Sequence, residues 1–165
     1  MFRTAHWIAG LPLAAVLASG VGVSAQLITH KDLSLATATT IALTAIDACK
    51  AQAYDVSAHV VGREGQVLVG LRNERAGLAT FENSMKKAYT ARTLRMPSGR
   101  FAENVKGNPT AGQLFLTNIT PAQGALPIMV GQEVVGAIGI SGAPGGDKDE
   151  VCAKAGIDKV AAQLQ

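Results

Sequence analysis

Residues 125–141, ALPIMVGQEVVGAIGIS, decide the fold of this chain. Two runs rich in aliphatic residues flank Gly131-Gln132, and glycine in the first position of a two-residue loop is typical of a type II′ hairpin turn. The second run carries Gly136 and Gly139, and glycine inside a strand indicates close approach of a helix, another backbone or a ligand. The stretch therefore predicts an antiparallel hairpin whose second strand is closely covered.

A second hairpin and several helices surround this stretch. Short β-branched runs on either side of the turn at residues 62–65 predict a hairpin at residues 56–71. Apolar periodicity predicts helices at residues 29–53, 79–94, 100–106 and 147–163, and an extended piece at residues 113–116. Thr29 is the expected cap of the first helix, and Asp147 with Glu150 is the expected capping pair of the last. Two hairpins separated by helices predict an α/β (α+β) domain with an antiparallel sheet.

The first 25 residues have the pattern of an export signal. Arg3 precedes an apolar run over residues 7–23, and small residues occupy the −3 and −1 positions before Gln26. A retained membrane anchor is the alternative, but glycine and proline interrupt the run, which falls short of the roughly 20 continuous apolar residues of a spanning helix. We therefore expect residues 1–25 to be cleaved, and residues 26–165 to form a single periplasmic or secreted domain.

Composition narrows the partners of residues 26–165. Removal of Arg3 lowers the formal net charge from +3 to +2, and only two Tyr and three Phe remain, so no nucleic-acid partner is expected. Residues 63–106 nevertheless carry nine basic residues against four acidic ones, which suits a small anionic ligand or a solvated helix face. The chain has no phosphate-binding loop motif, which disfavours nucleotide-dependent enzymes. No stretch after Gln26 has the length and apolarity for stable membrane insertion.

The two cysteines allow two interpretations. Cys49 and Cys152 lie in the first and last predicted helices. In an exported protein they can form a disulfide between these helices, or they can be two small buried apolar residues. The sequence alone leaves both open.

Several motifs, in chain order, resemble one known family. They are HVVGREGQVL (residues 59–68), Arg72 with Ala76, SMKKAYTA (residues 84–91), GALPI (residues 124–128), and VGAIGISGA (residues 135–143) followed by Asp147 and Glu150. On these motifs the chain is identified as a member of the GlcG/HbpS haem-binding, or haem-degrading, family, which includes the C-terminal domain of PduO-type proteins. Ala125 departs from the family motif G-G-x-P, in which a second glycine stands at this position.

The resemblance implies a profilin-like domain with an antiparallel sheet of about five strands, assembled into homodimers or larger homo-oligomers. It implies an exported protein that binds and buffers haem, with oxidant-dependent haem degradation as a further activity. In HbpS-like members the threonine of the K-A-x-T-A helix lies at the haem, and Thr90 occupies that position here.

Haem requires an apolar slot, cations for its propionates and, in most proteins, an axial ligand. The candidate cofactor-binding residues are Thr90, Lys86, Lys87, Arg92, Arg72, Gly136 and Gly139, and the candidate metal ligands are His30 and His59. Each has an ordinary alternative. A helical threonine bonds to its own backbone, lysines keep a helix solvated, and His59 can be a structural strand residue.

Two further interpretations remain at this stage. The chain can be a binding module for a small organic anion or a corrinoid, using Arg72, Arg75 and the glycine-rich residues 136–146. It can also be an accessory partner of a sensor protein.

Intrinsic catalysis is not indicated. Ser84 and Ser141 have no recognisable histidine partner in the sequence and no G-x-S-x-G elbow. Asp147, Asp149 and Glu150 can bind a metal, but an acidic first turn also suits any helix dipole.

Overall fold

The computed structural model describes residues 26–164. The predicted export signal at residues 1–25 lies outside the described residues, as does Gln165. The regular elements of the described part are α1 (Leu35–Lys50), β1 (Ser57–Val61), β2 (Val67–Arg72), α2 (Leu78–Leu94), α3 (Ser98–Val105), β3 (Ala125–Val130), β4 (Glu133–Ser141) and α4 (Gly146–Lys159). Within residues 26–164, no helix combines the length and the apolar character needed to cross a membrane.

The strands form one antiparallel sheet in the order β2-β1-β4-β3. Both predicted hairpins are present, with β1 paired to β2 and β3 paired to β4, and β1 and β4 lie side by side in the centre. Gly131 has a φ of +60°, as the first central position of a type II′ turn requires. The predicted α/β (α+β) class with an antiparallel sheet is confirmed.

Over residues 26–164 the sheet has four strands, one fewer than the five expected. Residues 113–116, predicted to be extended, belong instead to the 3₁₀ turn Gly112–Phe115. Within this segment the Leu114 N–H donates to the Ala111 carbonyl and the Leu116 N–H to the Gln113 carbonyl. Because these bonds close the segment on itself, β3 stays at the edge of the sheet.

The sheet is covered on both faces. Ile138 and Ile140 of β4 pack into the larger core with α1 and α4. Ala137, which points to the opposite face, packs instead with Ala88 and Ala91 of α2. The helices therefore sit on both sides of the hairpins, and α2 has one face of the sheet largely to itself.

Two predicted helix starts are wrong. Ser34, not Thr29, caps α1, because its Oγ accepts the Thr37 N–H at 3.1 Å and Leu33 before it is buried in the core. The preceding segment is held outside the helix by Arg63, whose guanidinium bonds to a backbone carbonyl there. Helix α4 begins after Gly145 with no side-chain cap, so Asp147 does not cap it.

A disulfide joins Cys49 of α1 to Cys152 of α4, with their Cα atoms 5.4 Å apart. Of the two interpretations left open by the sequence, the disulfide is confirmed. The same two helices also pack without a gap, since a Cβ on Gly156 would overlap the backbone carbonyl of Ile41. The first and last helices of the domain are thus connected by both packing and a covalent bond.

Candidate functional site

Helix α2 is the element that positions most of the predicted site residues. Its buried face is made of small or polar side chains, and Gly139 of β4 lies directly beneath it. A Cβ on Gly139 would overlap the backbone of Ser84 and Ala88, so glycine is needed there for the helix to approach the sheet. The C-terminal end of α2 lies at the same end of the sheet as the turns of the two hairpins.

A cleft of about 500 Å³ lies where these three elements meet. This arginine cleft is lined by Arg63, Arg92, Arg95, Met129, Val130, Gln132, Glu133 and Val134. The lining therefore combines basic side chains with aliphatic and polar ones. A volume of this size is typical of small-molecule sites.

The three arginines of the cleft are in different electrostatic states. Arg63 is fully engaged, with its Nη1 2.5 Å from Glu133 Oε1 and its Nε 3.4 Å from Asp32 Oδ1. Arg92 has a buried Nε with no hydrogen-bond partner, and burial, with the charges of Arg95 and Arg63, lowers the pKa of its guanidinium. Among residues 26–164, no carboxylate forms an ion pair with Arg92 or Arg95. The charges of Glu64 and Glu133 oppose this lowering of the Arg92 pKa, but neither carboxylate pairs with Arg92 or Arg95, so two guanidinium groups of the cleft lack an ion-pair partner within the described residues.

Thr90 is fully buried under the loop that precedes β3. Its hydroxyl donates to the Lys86 carbonyl at 2.8 Å and accepts the Thr120 N–H at 2.9 Å. The helical back-bond expected for a threonine is therefore present, and Thr120 covers the remaining side. Contact between Thr90 and a ligand stays a prediction, and it requires Thr120 to move away.

The two neighbouring lysines have opposite environments. Lys86 is on the surface and pairs with Glu82 at 2.5 Å, as their i,i+4 spacing predicts. Lys87 is buried, with its Nζ 2.8 Å from Asp149 Oδ2 and 3.0 Å from the Ile140 carbonyl. Since the Lys87 ammonium is held inside the domain, only Lys86 is available to a ligand at the surface.

The two candidate metal-ligand histidines are far from equivalent. His30 is exposed, with its Nε2 2.9 Å from Asp32 Oδ2, close to Glu133 at the rim of the arginine cleft. His59 is 3% exposed, its Nδ1 is 2.8 Å from Ser84 Oγ, and its ring meets Phe81 edge-on at 4.3 Å. The structural alternative for His59 is the one the geometry supports.

Ser84 does have a histidine partner, which sequence reasoning missed. Its hydroxyl donates to the Phe81 carbonyl at 2.9 Å, so the His59 Nδ1–H is the donor to Ser84 Oγ. Both residues are buried, and neither lines the arginine cleft. This orientation, with the histidine donating to the serine, is the reverse of what a general base and its nucleophile require.

The burial of His59 leads to a pH-dependent stability. Burial lowers the pKa of His59 to about 4, below the 6.5 of the unfolded chain. Between these values the unfolded chain binds the additional proton, so the free energy of unfolding should decrease as the pH falls from about 6.5 to 4, by about 3 kcal/mol in total. Urea denaturation at pH 7 and pH 4.5 measures this change, and His59→Gln should lose about 2 kcal/mol less than the wild type. Equal losses in the two proteins would contradict this assignment.

The remaining predicted residues all have contacts within the described chain, and their part in ligand binding stays a prediction. The Arg72 guanidinium donates to the Ala76 carbonyl, and Arg75 pairs with Asp55 at 3.2 Å. Gly136 leaves room for Leu33 and for the Val61 carbonyl. Of the three possibilities predicted for the strand glycines, a helix, a backbone or a ligand, the described structure shows close approach of a helix, a side chain and a backbone.

The acidic residues at the start of α4 do not gather around a metal position. Residues 26–164 contain no group of three or more His, Cys, Asp or Glu side chains that could hold a metal ion. Asp149 instead accepts the Ala143 N–H at 3.0 Å and holds Lys87, while Glu150 bonds to Gln123. Their role in the described structure is to fix the loops around the N-terminus of α4.

Sequence reasoning counted Arg63 and Arg95 among the basic residues of one segment but did not select them. The sequence does not show that β1 pairs with β4. This pairing brings the turns of the two hairpins to the same end of the sheet. The Lys87–Asp149 pair was missed for a similar reason. Its members are 62 residues apart on two different helices, and no local pattern pairs them.

Comparisons with known proteins agree with this architecture. A family model described as haem degrading protein HbpS-like matches residues 33–158. A crystal structure of a double mutant of HbpS from Streptomyces reticuli is 34% identical, covers 90% of this chain and 99% of its own, and superposes with a TM-score of 0.75. An uncharacterized 15.0 kDa protein from the dhaT-dhaS intergenic region of Citrobacter freundii is 31% identical over 102 residues, which are 60% of this chain and 71% of the relative. The crystal structure of a PduOC–haem complex has a TM-score of 0.69 at 22% identity, covering 76% and 93% of the two chains, and shows the shared fold.

Proposed function

We propose, from the premise that this chain belongs to the HbpS-like family, that it is a haem-binding protein. The observation that carries the proposal is the extent of the family match, because residues 33–158 include the whole sheet and helix α2. The PduOC relative, which was crystallised with haem, has the same fold. Haem is therefore the ligand that these relatives support for the domain.

The residues present suit the parts of haem that a protein must hold. The guanidinium of Arg92 lines the arginine cleft and has no ion-pair partner among residues 26–164, and a planar guanidinium suits a propionate. Arg95 lines the same cleft and can bind a second anionic group, whereas Lys86 lines a separate cleft. His30, with a side chain that is 44% exposed, is the histidine available to iron, whereas His59 is enclosed. Bound haem would supply the redox chemistry of its iron, and the chain would supply cations and an apolar wall.

Titration of the purified protein with haemin tests this proposal. A Soret band that shifts and saturates at micromolar haemin is the expected result. His30→Ala should change the position of that band if His30 ligates iron, while His59→Gln should leave it unchanged. Absence of any spectral shift at micromolar haemin would overturn the proposed function.

Export, assembly and haem degradation are further parts of the proposal. We propose that residues 1–25 direct the chain to the periplasm or the medium and are cleaved, so that mass spectrometry of the exported protein should find Gln26 at its N-terminus.

We propose homodimers or larger homo-oligomers, which sedimentation analysis with and without haemin tests. Haem degradation should appear as loss of the Soret band when peroxide is added to the haemin-loaded protein, and catalase should prevent it.

A small organic anion is a second candidate ligand, favoured by the arginine cleft. The Arg72 guanidinium donates to the Ala76 carbonyl and the exposed Arg75 pairs with Asp55, so the site predicted at these two residues stays a prediction. The cleft is the alternative position for it.

A further inference from the structure

The arginine cleft combines two properties that point to one class of ligand. Its basic side chains come from the C-terminal end of α2 and from the turn between β1 and β2, while Met129 and Val134 contribute aliphatic side chains from the β3–β4 hairpin. A purely inorganic anion would leave the aliphatic side chains without an apolar partner. An apolar molecule would leave the guanidinium groups without an anionic partner.

The charges in the cleft set the charge of the ligand. Glu133 neutralises Arg63, so the chain already satisfies one of the three guanidinium groups. Arg92 in the last turn of α2 and Arg95, the residue that follows the helix, remain without an ion-pair partner in the described chain, and a buried nitrogen of Arg92 has no hydrogen-bond partner there. Two carboxylates would balance these two charges. Arginine is suited to that task because its planar group binds a carboxylate through two parallel hydrogen bonds.

Arg95 occupies a position where the backbone favours a different residue. It ends α2 with a φ of +55°, in the left-handed conformation that glycine adopts at most helix ends of this kind. A branched or long side chain is disfavoured there by sterics. The presence of arginine therefore indicates that its side chain, which lines the cleft, has a use that outweighs the backbone strain.

We propose that the arginine cleft binds a ligand carrying two carboxylates on an apolar framework, held by Arg92 and Arg95. Two sources have this chemistry, the propionates of haem and a free organic dicarboxylic acid. The cleft itself does not depend on haem binding, and only the first source rests on the proposed function.

Calorimetric titration with succinate, glutarate and inorganic phosphate tests the free acid as the source. If a free acid is the ligand, one of the two dicarboxylates should bind more tightly than phosphate. Arg92→Gln and Arg95→Gly should each weaken that binding by at least about tenfold. Arg100→Gln, which removes an exposed arginine outside the cleft, is the matched control and should not change it. Phosphate binding as tight as dicarboxylate binding would overturn the free acid as the source.

Arg95→Gly also separates a ligand role from a structural one. Because glycine relieves the left-handed strain, the variant should raise the Tm by about 2 °C while it weakens the ligand. A variant that loses both stability and binding would show that Arg95 serves the fold, and would overturn its assignment as a ligand residue.

Haemin and its dimethyl ester test the propionates as the source. If the propionates occupy the cleft, haemin should bind at least about tenfold more tightly than the ester, and Arg92→Gln/Arg95→Gly should remove that difference. Haemin and ester that bind equally, together with no dicarboxylate binding, would overturn the proposed cleft while the haem function stands. Dicarboxylate binding without any haemin binding would support the cleft and overturn the haem function.

Discussion

Asp149→Asn is expected to lower the free energy of unfolding by about 3–5 kcal/mol, the largest effect of any single substitution considered for this protein. The Lys87 and Asp149 side chains are only 5% and 3% exposed, and their charged atoms are 2.8 Å apart. Removal of the carboxylate charge leaves the Lys87 ammonium buried with one carbonyl partner, that of Ile140. A buried charge without a counter-charge is far more costly than a broken surface pair. Urea denaturation at pH 7 measures the loss.

The surroundings of this ion pair explain why it cannot relax. Burial raises the pKa of the Asp149 carboxyl, although the Lys87 ammonium opposes this effect. Gly124 lies over the pair with a φ of +135°, and a Cβ at that position would overlap Lys87 Nζ, Asp149 and the Ile140 carbonyl. The pair therefore joins α2, the loop before β3 and the start of α4 at one packed point.

The double variant Lys87→Met/Asp149→Asn distinguishes the ion pair from general packing. It should be more stable than Asp149→Asn alone, because methionine removes the unpaired ammonium while it keeps most of the side-chain volume. Lys154→Met is the matched control, since Lys154 pairs with Asp158 on the exposed face of α4, the helix that carries Asp149. This surface pair should contribute less than about 0.5 kcal/mol to the free energy of unfolding. If the effects of Lys87→Met and Asp149→Asn add without coupling, this account of the pair is wrong.

Local sequence signals predicted the hairpins and α2 to within one or two residues, because turn glycines and apolar periodicity depend on near neighbours. The errors lie where a distant contact decides the local structure. Thr29 failed as a cap because Arg63, 34 positions further along the chain, binds the backbone before α1, and Leu33 is drawn into the core. Residues 113–116 are the exception, since there the local backbone hydrogen bonds form a 3₁₀ turn in place of the expected extended piece.

The candidate site shows the same difference between features set by near neighbours and features set by distant contacts. Sequence reasoning placed Arg92 correctly on a helix rich in basic residues, but it could not separate Lys86 from the adjacent Lys87, one of which is exposed and the other buried. That distinction depends on which face of α2 meets β4, and Gly139 determines it through its close contact with the helix. The arginine cleft depends on the order of the strands, which no local pattern contains.

Reduction of the Cys49–Cys152 disulfide is expected to lower the free energy of unfolding by about 2–5 kcal/mol. The two cysteines are 103 residues apart in sequence, so the bond restricts most of the unfolded chain. The chain-entropy model gives about 4.7 kcal/mol for a loop of roughly this length. Urea denaturation of the wild type with and without dithiothreitol measures the effect, since reduction changes the cross-link and leaves both side chains in place.

Cys49→Ala/Cys152→Ala provides the control for that measurement. Dithiothreitol should not affect its stability, and without reductant it should be less stable than the oxidised wild type by a similar amount or more, because two buried sulfur atoms are also lost. Protein recovered from an oxidising compartment should have no free thiols when denatured, and the same chain made without residues 1–25 in a reducing cytosol should have two. Two free thiols in the exported protein would contradict both the disulfide and the part that export is expected to have in forming it.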